Sequence, residues 1–306
     1  MKQICLSMSL VLFAAAFISM TPLSAADQSQ SSAHYQGIIP SGGWLKNLTV
    51  PYSGDEGSFS VAVQIYFPEG YKAGDAVRTL ILLPSWGRNQ TEWEKSSNVK
   101  RYANERKYIL VCPDMGKTVY ENDYYPETTV KWHELPGGKW IIKALVPWLR
   151  DEFSLCRSRE LTGITGVGFG ARGAILSAAR YPEVFGFAGG ISGTYDAESV
   201  PLSTPFVGVY GKYKENKERW ASADNVIALV PNLKDTIVFM AHGKRERGSP
   251  IELSQIVLIK LAQLKKQNPG KFPYKFVVQE WGDEWEVWNK FLSDMFIQFD
   301  TPFPVK

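Results

Sequence analysis

From Thr79 onward the chain alternates two kinds of segment, and that alternation limits its fold more than any other feature. Residues 79–83, 108–112, 161–167 and 236–241 are short apolar runs with no polar alternation, the pattern of strands covered on both faces. Between and after them, residues 91–106, 139–153, 171–180, 250–267 and 284–299 carry apolar side chains at helical spacing, and 274–280 reads as a last strand. Strands that take turns with helices build an α/β fold, a mostly parallel central sheet with helices on both faces. Residues 45–50 and 59–67 instead alternate apolar with polar around the turn-rich segment 51–57, which predicts a leading antiparallel hairpin. Ligands of such folds sit outside the carboxyl ends of the strands. The loops after Leu83, Cys112, Val167, Ala241 and Glu280 are therefore expected to share one rim.

The most informative single segment is 161–174, LTGITGVGFGARGA, where an apolar strand turns through glycines into a helix. Two chemistries use that geometry. In a nucleophile elbow, G-x-S-x-G, the sharp turn raises a serine oxygen above the sheet beside a helix N-terminus that supplies oxyanion donors. In a dinucleotide fingerprint, G-x-G-x-x-G, the turn lets backbone approach a pyrophosphate. Gly168, Gly170 and Gly173 match the second pattern literally, and Asp196, after the next strand, stands where a ribose-binding acid would sit. Against a dinucleotide, such folds place the turn in their first βαβ unit, whereas several strands precede it here. No cofactor is expected.

A set of short motifs in fixed order accompanies the turn: Tyr66-Phe-Pro68, Leu82-Leu-Pro-Ser-Trp-Gly87, Val111-Cys-Pro-Asp114, Glu134-Leu135, Val146-Pro147, Tyr181-Pro-Glu-Val-Phe185, Ser192-Gly193 and Gly282-Asp-Glu-Trp-Glu-Val-Trp288. By these the chain resembles the putative-esterase family, the esterase-D-like branch of the α/β-hydrolase superfamily. That branch includes feruloyl and acetyl-xylan esterases, formylglutathione hydrolases and mycolyltransferases. The resemblance implies an α/β-hydrolase fold and a triad of serine, acid and histidine in chain order. Carried onto this sequence, the triad positions are Gly168, Glu246 and Asp283. Only the carboxylate keeps its chemistry. Without a hydroxyl at 168 no acyl-enzyme forms there, and without an imidazole at 283 no base stands ready near neutral pH. Glycine also relieves the backbone strain of an elbow. The expectation is a family member that is catalytically inactive but keeps a cleft for a carbohydrate or ester. The alternative is a residual hydrolase using other residues.

Candidates for that alternative, and for the cleft, are Ser85, Trp86, Phe169, His133, His242, Trp281 and Trp285. Ser85 and Ser192 read first as turn or hydrogen-bonding residues, and His133 or His242 as a displaced base or an ordinary hydrogen-bonded histidine. His34 lies in the polar N-terminal stretch. Trp86, Trp132, Trp281, Trp285, Tyr124 and Tyr125 would stack on sugars or aryl esters, or else pack the core with Trp140, Trp148 and Trp288. The histidines and carboxylates show no metal-ligand spacing, so no metal is expected. The pair Asp283-Glu284 with Glu246 could act as glycosidase acids, but adjacent acids more often mark a solvated helix start.

Lys2 followed by the apolar run 10–18 reads as a secretory signal cut near Ala26, too short to span a bilayer, with 27–36 a flexible new N-terminus and 37–306 one domain. Secretion or a periplasmic location follows, with no stable membrane span after cleavage. A formal net charge of +3, one unit of which leaves with Lys2, gives no electrostatic case for nucleic acid. A small soluble ligand is favoured, and oligomeric state is not written in the sequence. Cys5 belongs to the signal. Cys112 and Cys156 are expected at opposite edges of the sheet, where no disulfide would join them.

Overall fold

A computed structural model describes residues 38–54, 57–123, 125, 128, 135–221, 224–246, 249–280, 282 and 285–303. Eight strands form one sheet. They are β1 (Gly43–Gly54), β2 (Gly57–Phe67), β3 (Arg78–Leu83), β4 (Tyr108–Pro113), β5 (Thr162–Val167), β6 (Phe187–Ile191), β7 (Ile237–Gly243) and β8 (Tyr274–Gln279). Their order is β1-β2-β4-β3-β5-β6-β7-β8. β1 and β2 pair antiparallel, β2 runs antiparallel to β4, and the other neighbours are parallel. The carboxyl ends of β3 to β8 therefore open on one rim, as expected from the sequence.

The parallel strands lack alternation because both faces are buried. Ile81 and Leu83 enter one core with Val111 and Ile164, while Leu80 and Leu82 enter the other with Leu110 and Val167. The first core packs against α5 (Phe169–Arg180) and α9 (Ile251–Gln267); the second packs against α2 (Val99–Arg106) and α10 (Trp285–Phe299). A third cluster lies beyond the rim, where Phe206, Val209, Tyr210 and Trp220 pack with Val119. It is built on the short helices α6 (Thr204–Tyr210) and α7 (Lys217–Trp220), with α8 (Val226–Leu229) following. Arg172 on α5 is buried beneath it and donates to Val119 O, to Asp224 O at 2.8 Å and to Tyr210 Oη at 3.3 Å.

Several elements depart from the sequence reading. The helix expected over 91–106 is two, α1 (Glu92–Ser96) and α2, because Ser97 is extended and its hydroxyl takes the Trp93 carbonyl at 2.6 Å while Asn98 N–H donates to Asn289 Oδ1 at 2.9 Å. The helix expected over 139–153 starts earlier, as α3 (Gly137–Trp140), and runs through a π-turn (Ile141–Leu145) into α4 (Val146–Phe153). Pro51 is strand rather than turn; β1 is an edge strand, where a missing N–H costs no ladder bond. Cys112 and Cys156 are free and buried but not at opposite edges, since only β3 separates β4 from β5. They face different cores, and Cys112 lies near the carboxyl end of β4 while Cys156 precedes the start of β5. Residues 1–36, with the signal, His34 and Cys5, lie outside the described residues. Among the described residues no helix is long and apolar enough to cross a membrane.

Candidate functional site

Three alternate glycines shape the turn between β5 and α5, each for its own reason. A Cβ on Gly166 would lie 2.3 Å from the backbone of Gly170, and one on Gly170 would lie 2.5 Å from the carbonyl oxygens of Leu83 and Pro84. The strand, the first turn of α5 and the end of β3 are thus in backbone contact. Gly168, at the apex, has φ 58° and ψ −122°, a region costly for any residue with a side chain. Its N–H donates to Ile191 O at 3.0 Å, and its carbonyl accepts from Ala171 N–H at 3.1 Å. The neighbours of all three glycines of the fingerprint pattern are protein atoms: Gly173 lies under the Tyr120 ring, 2.3 Å from where a Cβ would stand. Each of these glycines makes room for close packing of the protein around the turn.

The space above Gly168 is already taken. A Cβ there would sit 2.6 Å from Ser85 Oγ but an ordinary 3.5 Å from Ser85 Cβ, so the hydroxyl alone occupies it. Ser85 is held by its backbone, whose N–H donates to Glu92 Oε2 at 2.8 Å. Glu92 Oε1 accepts from the Trp285 indole at 3.3 Å and lies 3.9 Å from Arg88 Nε. Burial raises the Glu92 carboxyl above the ordinary carboxylate range, against the lowering effect of those donors. The sequence reading missed Glu92. Its place in the first turn of α1, one short loop after Ser85, was the available signal, because acids there commonly cap neighbouring N–H groups.

Across the turn, Ser192 follows β6 directly with φ 61°, and its N–H donates to Ala241 O at 2.9 Å. Its hydroxyl donates to Glu246 Oε1 and accepts from the Trp288 indole at 2.9 Å. Glu246, almost fully buried, also accepts from Gly243 N–H at 2.8 Å and stands 3.3 Å from His242 Nε2. Trp288, assigned to core packing from the sequence, is indeed buried, yet its N–H reaches this group; a buried indole needs such a partner. His242 is fully buried with both ring nitrogens engaged. Ser249 O, which can only accept, lies 2.7 Å from Nε2, so Nε2 carries the proton and Nδ1 accepts from Ser254 Oγ at 2.8 Å. Burial pushes its pKa down, opposed by the Ser249 carbonyl, and keeps it neutral. It has no free lone pair for a substrate proton.

A cavity of about 300 Å³ lies over the turn, lined by Ser85, Trp86, Gly168, Phe169, Ser192 and Glu246, among others, with Trp288 on one wall. The Trp86 and Phe169 rings are 5.4 Å apart, and Phe169 meets Phe206 at a tilt with centroids 5.3 Å apart, which ties the cavity wall to the third cluster. Trp285 faces an adjoining groove instead. The structure thus brings Gly168, Ser85, Trp86, Phe169 and Glu246 together and leaves His242 behind them. His133, Trp132, Tyr124, Trp281, Asp283 and Glu284 lie outside the described residues. Among the described residues no three His, Cys, Asp or Glu side chains gather to hold a metal.

Comparison with known proteins gives this geometry a setting. Residues 59–299 match the family model described as Putative esterase. An acetyl esterase of Caldicellulosiruptor saccharolyticus is 20% identical over 229 residues, covering 72% of this chain and 82% of that protein. Among solved structures, the substrate-bound fluorophosphonate-binding serine hydrolase F of Staphylococcus aureus superposes with a TM-score of 0.65 at 17% identity, over 86% of this chain and 100% of its own. An S-formylglutathione hydrolase of the same organism gives 0.63 at 17% identity, over 84% of this chain and 100% of its own. These structures share the α/β-hydrolase fold with this chain.

Proposed function

Because this chain belongs to the esterase family, we propose that it is a secreted member that has lost serine-hydrolase chemistry and keeps its cleft to hold a small carbohydrate or ester without cleaving it. The observation that carries this reading is the apex of the strand–helix turn. Acyl transfer by the family route needs an oxygen raised above the turn and a base beside it. Gly168 supplies no oxygen. Ser85 Oγ fills the place where its side chain would begin, so the loss at one position is matched by a gain at its neighbour.

What remains suits binding. Phe169 is the first residue of a twelve-residue helix, and the first N–H groups of a helix have no partner within it. Aromatic walls and the Ser85, Ser192 and Thr194 hydroxyls complete a cavity of about 300 Å³, at the small end of ligand pockets. Purified protein given short nitrophenyl esters should show no turnover above a heat-denatured control. Turnover would overturn the reading.

One observation favours a second reading, a residual hydrolase. Ser192 lines the same cavity, has strained backbone, and donates a hydrogen bond to the buried Glu246 carboxylate. In that case turnover would appear in the natural chain and vanish in Ser192→Ala. The first reading is preferred because Ser192 is only 3% exposed and its hydroxyl is already held from both sides, by Glu246 and Trp288.

A further inference from the structure

Beside the cavity over Gly168 lies a larger groove that neither the family relationship nor the triad positions assign. It has a volume of about 540 Å³ and runs between the segment carrying Ser85 to Ser96 and the start of α10. Ser85 and Trp288 line both spaces, so the two are neighbours across that pair.

Its walls divide into aromatic and charged parts. Trp285 and Trp288 stand on one side, 5.2 Å apart and steeply inclined, and Trp93 braces Trp285 edge-on at 4.9 Å. Both indole N–H groups of the pair are spent inside the protein, on Glu92 and on Ser192. What those two rings offer the groove is therefore carbon, the surface on which the C–H faces of a sugar ring pack. On the other side stand Arg88, Asn89, Glu92 and Lys95. Arg88 is 69% exposed at its side chain and only 3.9 Å, beyond hydrogen-bond reach, from the largely buried Glu92. Lys95 has no ion pair among the described residues. The mouth of the groove thus holds two cationic heads against one recessed carboxylate, whose pKa burial raises.

We propose that this groove binds a saccharide carrying a carboxylate, with the ring against the tryptophans and the acid group at Arg88 and Lys95. Asn89, whose Oδ1 already accepts from the Thr91 N–H and hydroxyl, offers its amide N–H groups to sugar oxygens. The assignment does not rest on the fate of catalysis at Gly168. An active enzyme would sink the previous reading and leave this one standing.

The test is a fluorescence titration of the whole protein with a galacturonic acid trimer and with neutral xylotriose, read through the tryptophans. The acidic trimer should saturate the signal and bind about tenfold more tightly at low salt, as two exposed charge contacts allow. The preference should shrink on raising salt, because exposed charges are screened. Lys95→Glu, an exposed change that should leave the urea midpoint where it is, should cut the preference at least severalfold. Equal affinity for the two trimers, a preference unmoved in Lys95→Glu, or no saturation by either trimer would each overturn the proposal.

Discussion

Replacing Gly168 with alanine puts a number on the contact at the apex. The added Cβ meets two costs. At φ 58° and ψ −122° a side chain costs about 1–3 kcal/mol in backbone strain. It also arrives 2.6 Å from Ser85 Oγ, an overpacking that costs about 1–3 kcal/mol unless the serine turns away. Gly168→Ala should therefore destabilise the protein by about 2–6 kcal/mol. Ser85→Ala removes the offending oxygen and leaves Cβ at an ordinary 3.5 Å, so in that background Gly168→Ala should cost only the strain. A double-mutant cycle in urea should return a favourable coupling of about 1–3 kcal/mol between the two positions, the size of the overpacking cost. Additive changes, or a Gly168→Ala protein as stable as the natural one, would refute the claim that Ser85 fills the space of the missing side chain.

Further outcomes follow from the same geometry. Glu246→Ala strands the Ser192 hydroxyl and the Gly243 N–H in a buried place and should cost about 3 kcal/mol or more by urea unfolding. His242 has its pKa lowered in the fold, so the unfolded chain binds its proton more readily; its contribution is present above the ordinary value of 6.5 and is lost as pH falls through the folded pKa. Unfolding midpoints should drop on acidification below that value, and less steeply in His242→Gln. Ser85→Ala, Gly168→Ser and Asp283→His combined should give measurable hydrolysis of a short nitrophenyl ester, whereas a folded but inert triple variant would count against the assigned triad positions. The mass of the protein recovered after export should correspond to a chain beginning near Asp27.

The repeating pattern along the chain carried most of the sheet, because strands buried on both faces are largely apolar and read as near-continuous runs, even with Thr165 and His242 inside them. It also carried the turn around Gly168, where the backbone contacts of Gly166 and Gly170 leave no room for a Cβ. The site was harder. Ser85 and Gly168 meet across 83 positions of chain, and no local pattern reports that one hydroxyl fills the space of another residue. Trp288 reads as core from its helical spacing; only the fold shows its N–H reaching Ser192. The short helices α6, α7 and α8 escaped notice because each spans at most two turns, too little for a period to emerge. The break between α1 and α2 depends on Asn289, almost two hundred residues away, so local propensity had no means of placing it.

The central claim, that no activated serine faces this cleft, is met most directly by incubating the natural protein with a fluorophosphonate probe and measuring the intact mass. The account predicts an unchanged mass under conditions that fully label a working serine hydrolase. An adduct on Ser85, Ser192 or any other serine, absent after heat denaturation, would contradict it.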